Sequence, residues 1–204
     1  MLKKIIIASC VFVFALFFHI TAQAKIIEPR QHGLWSSFVL SDEKIVCARI
    51  ITQEAVEKNK SALSLDFSPV PQCADAKLRI MVKNNNPNVY DVIMSSKVSI
   101  RVDEKKIHHE KLIIEILKEY VTYTLNGIVR QEILKEAVDG KFIRFKIDIE
   151  GQKSMYVKFP LIGFADALKR GLQLCGTLEE ILKKHEREDE HAPKDPQNST
   201  GVSI

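Results

Sequence analysis

Apolar and polar positions alternate with period two over most of the chain between Gly33 and Phe159. Leu63, Leu65 and Phe67 alternate strictly, as do Leu78, Ile80 and Val82, and then Val98, Ile100 and Val102. Each run predicts a strand with one face on a core. The segments Leu34–Leu40 and Ile45–Ile51 add strands rich in β-branched and aromatic residues. Pro69 and Pro71 end one strand, the run KNNNPN from Lys83 turns the chain, and Asp103-Glu104-Lys105-Lys106 predicts a hairpin turn. Tyr120–Leu125 reads as a further strand, stopped by Asn126-Gly127.

The period then changes. Val129, Ile133, Leu134, Ala137 and Val138 fall at helical spacing, with Gly140 where a C-cap glycine belongs. Phe142–Ile149 and Met155–Phe159 return to alternation and predict a hairpin turned at Glu150-Gly151-Gln152. At Pro160, Gly163 and Phe164 the chain leaves the strand for a helix. Proline has no amide to donate to a central ladder, and glycine permits the sharp backbone of such a corner. Phe164, Leu168 and Leu172 line that helix, which Gly171 or Gly176 ends. Thr177 with Glu180 has the spacing of a capping box before a last short helix. The fold class is mainly β, antiparallel, with two or three helices in the C-terminal half.

Both ends differ from this body. Lys3 and Lys4 precede an apolar run from Ile5 to Ile20, and Ala22-Gln23-Ala24 fits the small-x-small rule, so residues 1–24 are expected to be a cleaved export signal. The run is shorter than the roughly 20 apolar residues of a membrane span. Ile7-Ala8-Ser9-Cys10 imitates a lipidation site, but too few apolar residues precede it, so Cys10 is read as part of the leader. Residues 185–204 have no apolar periodicity and are expected to form a disordered polar tail. Asn198-Ser199-Thr200 there matches a glycosylation acceptor and is read as a chance triplet. Residues 25–184 make one domain, long enough for a hydrophobic core. An exported protein, periplasmic or secreted, with no membrane span after cleavage, follows from this reading.

Removing Lys3 and Lys4 lowers the formal charge from +4 to +2. No Lys/Arg block interleaves with aromatics, which argues against a nucleic-acid partner. Export would put Cys47, Cys73 and Cys175 in an oxidising compartment, where pairs close. Cys47–Cys73 is the first choice; closing a loop of roughly 26 residues, it would contribute about 3 kcal/mol. Cys175 is then a buried thiol or an intermolecular link, and it is also the alternative partner.

Candidate chemistry is sparse. His108-His109-Glu110 is the densest metal-capable cluster, but adjacent histidines on a strand point to opposite faces. His185 and His191 fall in the expected tail. Asp148 and Glu150 could pose as paired carboxylates and are read as the polar side of a strand. No Gly-x-Ser-x-Gly motif or Cys–His pattern marks a nucleophile, and Cys175 lies with Leu168 and Leu172 on an apolar face. No catalytic, cofactor or metal site is therefore assigned. Tyr120 and Tyr123 lie on opposite strand faces, and an exposed one would make a binding anchor. Asn84, Asn85 and Asn86 form a loop suited to recognition.

The order of elements from Val129 onward carries a resemblance. A helix ending at Gly140, two strands turned at Gly151, and the junction Leu161, Gly163, Phe164, Ala167 resemble the C-terminal half of the invasion-associated locus B family of exported bacterial proteins. Trp35 and the run from Cys47 to Gln53 fit its N-terminal half more loosely. Ser36 and Ser37 stand after Trp35, where the family carries a cysteine; this makes Cys73 a substitute disulfide partner. The resemblance implies a β-sandwich-like envelope protein, engaged in host interaction or envelope upkeep, with no catalytic residues. Together the readings favour a non-enzymatic module that binds a protein partner. The alternatives are a periplasmic accessory factor for secretion or assembly, and a small secreted hydrolase or enzyme inhibitor.

Overall fold

The computed structural model describes residues 24–42, 45–53, 61–70, 73, 75–85, 88, 92–117 and 119–191. The expected leader up to residue 23 with Cys10, Asn86, and residues 192–204 with the Asn198-Ser199-Thr200 triplet lie outside the described residues. In chain order the elements are β1 (Lys25–His32), β2 (Trp35–Ser41), β3 (Val46–Gln53), β4 (Ser61–Phe67), β5 (Ala76–Lys83), β6 (Val92–Val102), β7 (Ile107–Ile116) and β8 (Tyr120–Leu125). They continue with α1 (Gln131–Val138), β9 (Phe142–Asp148), β10 (Met155–Pro160), α2 (Phe164–Gly176) and α3 (Leu178–His191). The protein is mainly antiparallel β with its helices in the C-terminal half, as the alternation predicts.

The strands form one ten-stranded sheet in the order β1-β2-β3-β4-β5-β8-β7-β6-β9-β10. The first five meander. The next three meander in the opposite direction, so β8 docks on β5 and β6 is left to pair with β9. The sheet curls until β10 packs near β3. Inside lie Trp35, Ile50, Phe67, Ile80, Ile100, Phe145 and Phe159, all essentially buried. Along β9, buried Ile143, Phe145 and Ile147 alternate with Phe142, Arg144 and Lys146. This is the period-two signature of a strand with one wet face. Strand β1 escapes the alternation rule because its register slips between Ile27 and Arg30, where Glu28 has φ +50°.

The junction after β10 is a structural corner. The Pro160 carbonyl accepts the Trp35 indole Nε1–H at 2.9 Å, and the Ile162 carbonyl accepts the Leu34 amide at 3.0 Å. Phe164 meets Trp35 edge to face at 4.9 Å. Gly163 sits at φ +87°, and a Cβ there would lie 1.8 Å from the His32 carbonyl oxygen. Pro160 is tolerated because β10 ends the sheet.

Several expectations are corrected. Gly140 does not cap α1 in a left-handed conformation; its Cβ would strike Val102 at 2.5 Å and Leu161 at 2.9 Å, so the requirement there is close packing. Thr177 makes no capping box: its hydroxyl donates back to the Gln173 carbonyl at 3.1 Å. Helix α3 runs past Lys184 to His191, placing His185 and His191 on a helix and not in a tail. Strand β9 stops at Asp148, which leaves Glu150 in the turn.

The disulfide joins Cys73 to Cys175, and Cys47 is a free buried thiol. The favoured Cys47–Cys73 pairing is overturned by strand parity. Ile50 faces α2, where a Cβ on Gly171 would lie 2.8 Å from its side chain. Cys47, an odd number of residues away, points to the other side of the sheet. Cys175, near the end of α2, meets Cys73 in the β4–β5 connection on the helix side.

Candidate binding surface

The predicted recognition residues are only partly brought together. Asn84 follows β5, and Tyr120 opens β8 beside it, because Lys83 pairs with Tyr120 across those strands. The Asn84 amide donates to the Glu119 carbonyl at 2.8 Å, and its side-chain Nδ2 donates to the Leu117 carbonyl at 2.8 Å. These bonds fasten the β7–β8 turn to the end of β5. Tyr120 is 48% exposed there, next to exposed Leu117 and Asn85. Tyr123, on the opposite face, is only 5% exposed and belongs to the core. The result is one sheet corner that carries a half-exposed aromatic beside an apolar neighbour.

The two histidines separate as expected. His108 is buried, with its Nε2 3.1 Å from Glu136 on α1. His109 is exposed and lies 3.2 Å from the Ser99 hydroxyl. Glu110 pairs with Arg130 at 2.5 Å. Among the described residues no group of three or more metal-capable side chains converges.

A second feature was invisible to motif reading. On the outer side of β3–β5, Arg49 and Asp66 form a bidentate pair at 2.6 and 2.8 Å, both buried, with Arg79 3.7 Å from the same carboxylate. Asp66 and Arg79 border an open cleft of about 560 Å³ that also reaches Cys47, Asp75, Lys77 and Ile128. Burial, and then the Asp66 charge, pushes the Cys47 thiol up to about 11, so it is protonated at neutral pH and a poor nucleophile. Replacing one partner of a buried pair strands the other charge. Asp66→Asn should cost about 3 kcal/mol, the low end for such pairs because the amide oxygen still accepts one bond. Urea unfolding of the two proteins reads this directly, and an unchanged midpoint would mean the guanidiniums find other partners.

The third feature is an exposed face shared by β7, β6, β9 and β10. Cross-strand pairing sets Ile107, Arg101, Arg144 and Lys158 in one row. The next row holds His109, Ser99, Lys146 and Tyr156, and a third holds Lys111, Lys97 and Asp148. Arg101 lies directly opposite Arg144, Arg144 opposite Lys158, and Lys97 opposite Lys111. Like charges so placed repel. Glu104 bridges Arg101 at 2.9 Å and Arg144 at 3.0 Å, and Asp148 binds Lys146 at 3.1 Å. The Ser154 hydroxyl and then Lys146 hold the Asp148 carboxyl below the usual carboxylate range, so it is ionised. The three rows hold six cations and one carboxylate, Asp148; Glu104 and Asp103 lie against Arg144, and Glu115 stands further along the same face, opposite Ile93.

No family model matches the chain, and no curated protein matches it. Among solved structures, the chain is similar to the crystal structure of invasion associated protein B from Bartonella henselae. The two share 19% sequence identity, with a TM-score of 0.47 over 72% of this chain and 96% of that one.

Proposed function

We propose that this chain is an exported envelope or surface protein, a non-enzymatic module that binds another protein, with the part in host interaction or envelope upkeep that the family resemblance implies. The observation that carries the reading is the corner of β5 and β8. There a rigid, hydrogen-bonded sheet end presents Tyr120 beside Leu117 and Asn85. Partly exposed aromatics held on fixed backbone make efficient anchors, since little side-chain entropy is lost on binding. The Cys73–Cys175 bond supports export, because disulfides persist in oxidising compartments. The protonated Cys47 thiol supports the non-enzymatic reading.

The experiment is capture of partners from envelope extracts, with the wild-type chain and its Tyr120→Ala variant as baits under non-reducing conditions. An anchor tyrosine is worth about 2 kcal/mol, so the variant should bind a specific partner about thirtyfold more weakly while melting at an unchanged temperature. Equal capture by both baits would remove the corner from the interface. No specific capture by either would count against the binding-module reading, and a hydrolase screen would follow.

A further inference from the structure

We propose that the outer face of β7, β6, β9 and β10 is a docking surface for an acidic lipid bilayer, with Lys97, Lys111 and Lys158 set against headgroup phosphates and Ile93 and Tyr156 reaching into the interfacial layer. The proposal rests on other residues than the Tyr120 corner, which lies at the junction of β5 and β8 on the same side of the sheet.

Charge comes first. Lys97 and Lys111 face each other across β6 and β7, both exposed, and neither makes a salt bridge among the described residues. Lys158 lies over the Phe142 ring at 3.7 Å and stays at the surface, opposite Arg144. Direct opposition of like charges opposes strand pairing, so these pairs weaken the sheet that holds them. An anionic surface laid across the rows would turn that repulsion into attraction.

The distribution of apolar groups then selects the kind of anion. Ile93 is 73% exposed near one end of β6, and Tyr156 is 68% exposed on the edge strand β10. Ile107, also exposed, ends the first row. Most of the cations lie between these apolar side chains, although Lys158 shares the edge strand with Tyr156 and Glu115 stands opposite Ile93. Protein–protein interfaces have the reverse anatomy, an apolar centre within a polar rim. A soluble polyanion would satisfy the cations and leave the isoleucines in water. A bilayer takes both: lysines at the phosphates, isoleucine and tyrosine at the boundary below them.

The test uses the chain as the expressing cell processes it, its N-terminus read by mass spectrometry, so that wild type and variants share the same end. Each is sedimented with vesicles of phosphatidylcholine alone and of phosphatidylcholine mixed with phosphatidylglycerol. The wild type should bind the acidic vesicles, release in high salt, and leave the neutral ones in solution. Each basic residue near an acidic surface strengthens partitioning about fivefold, so Lys97→Gln with Lys111→Gln and Lys158→Gln should weaken it about a hundredfold. Ile93→Ser should weaken it further with the salt dependence intact. Equal binding by wild type and the triple variant, with both melting alike, would overturn the proposal. So would failure of the wild type to bind acidic vesicles, including the case in which it binds heparin instead, which would make the face a site for soluble polyanions.

Discussion

Replacing Cys73 and Cys175 together by serine will lower the unfolding free energy by about 4–5 kcal/mol. The bond closes a loop spanning 102 residues, so its loss frees a long stretch of the denatured chain. For a domain of this size the melting temperature should fall by about 10–20 °C. The effect is also local. Cys175 lies near the end of α2, which packs on β2 and β3, and Cys73 lies beyond β4. Cutting the bond lets that end of the helix part from the β4–β5 connection. Thermal melts with and without reductant give the size of the effect. Alkylation of the unreduced, denatured protein gives the pairing: of Cys47, Cys73 and Cys175, only Cys47 should react. Label on Cys73 or Cys175 in place of Cys47 would overturn the assignment.

Gly163→Ala will be the most damaging single-methyl change in the described part of the chain, costing more than about 4 kcal/mol. Two penalties add. Left-handed backbone at φ +87° costs a non-glycine residue about 1–2 kcal/mol. The added carbon would also fall 1.8 Å from the His32 carbonyl oxygen, a contact that only backbone movement relieves. That movement is resisted on both sides, by the Leu34–Ile162 amide bond and by Gly33, whose own Cβ would lie 2.9 Å from the Ile162 oxygen. Gly151→Ala is the internal control. Its φ is +73°, but nothing lies within 4 Å of the added carbon, so only the conformational penalty of about 1 kcal/mol applies. Chemical denaturation of both variants separates the terms, and equal losses would show that backbone conformation alone makes Gly163 necessary.

Much of the fold is legible in the sequence because burial on one side of a strand writes itself as alternation. The runs around Leu63, Leu78, Val98 and Ile143 all lie on strands with those residues inside. The change of period at Val129 marks α1, and Pro160 with Gly163 marks the corner before α2. Strand β1 is not legible because its bulge at Glu28 breaks the period-two alternation. The end of α3 is not legible because its charged sequence has little apolar stripe to reveal it.

The candidate site was less legible. In the sequence Tyr120 and Asn84 are separate signals, one an aromatic on a strand and the other a loop residue. Their neighbourhood depends on β8 pairing with β5, a contact between segments far apart in the chain. The basic face left no sequence signal, since its lysines and arginines are spread over four strands among other residues.

What the sequence determined by itself is local: the period of each segment, the turns between segments, and the corner residues that admit no alternative backbone. It also determined which side chains share a face within one strand, because alternation fixes parity. Only the tertiary structure decided which strands are neighbours. The reversed meander of β6, β7 and β8 brings Lys111, Lys97, Arg144 and Lys158 onto one surface. Packing of α2 on one side of the sheet decided that Cys175 reaches Cys73 while Cys47 does not. Both outcomes rest on long-range pairing, whose stability comes from burial shared between distant segments and is written in none of them alone.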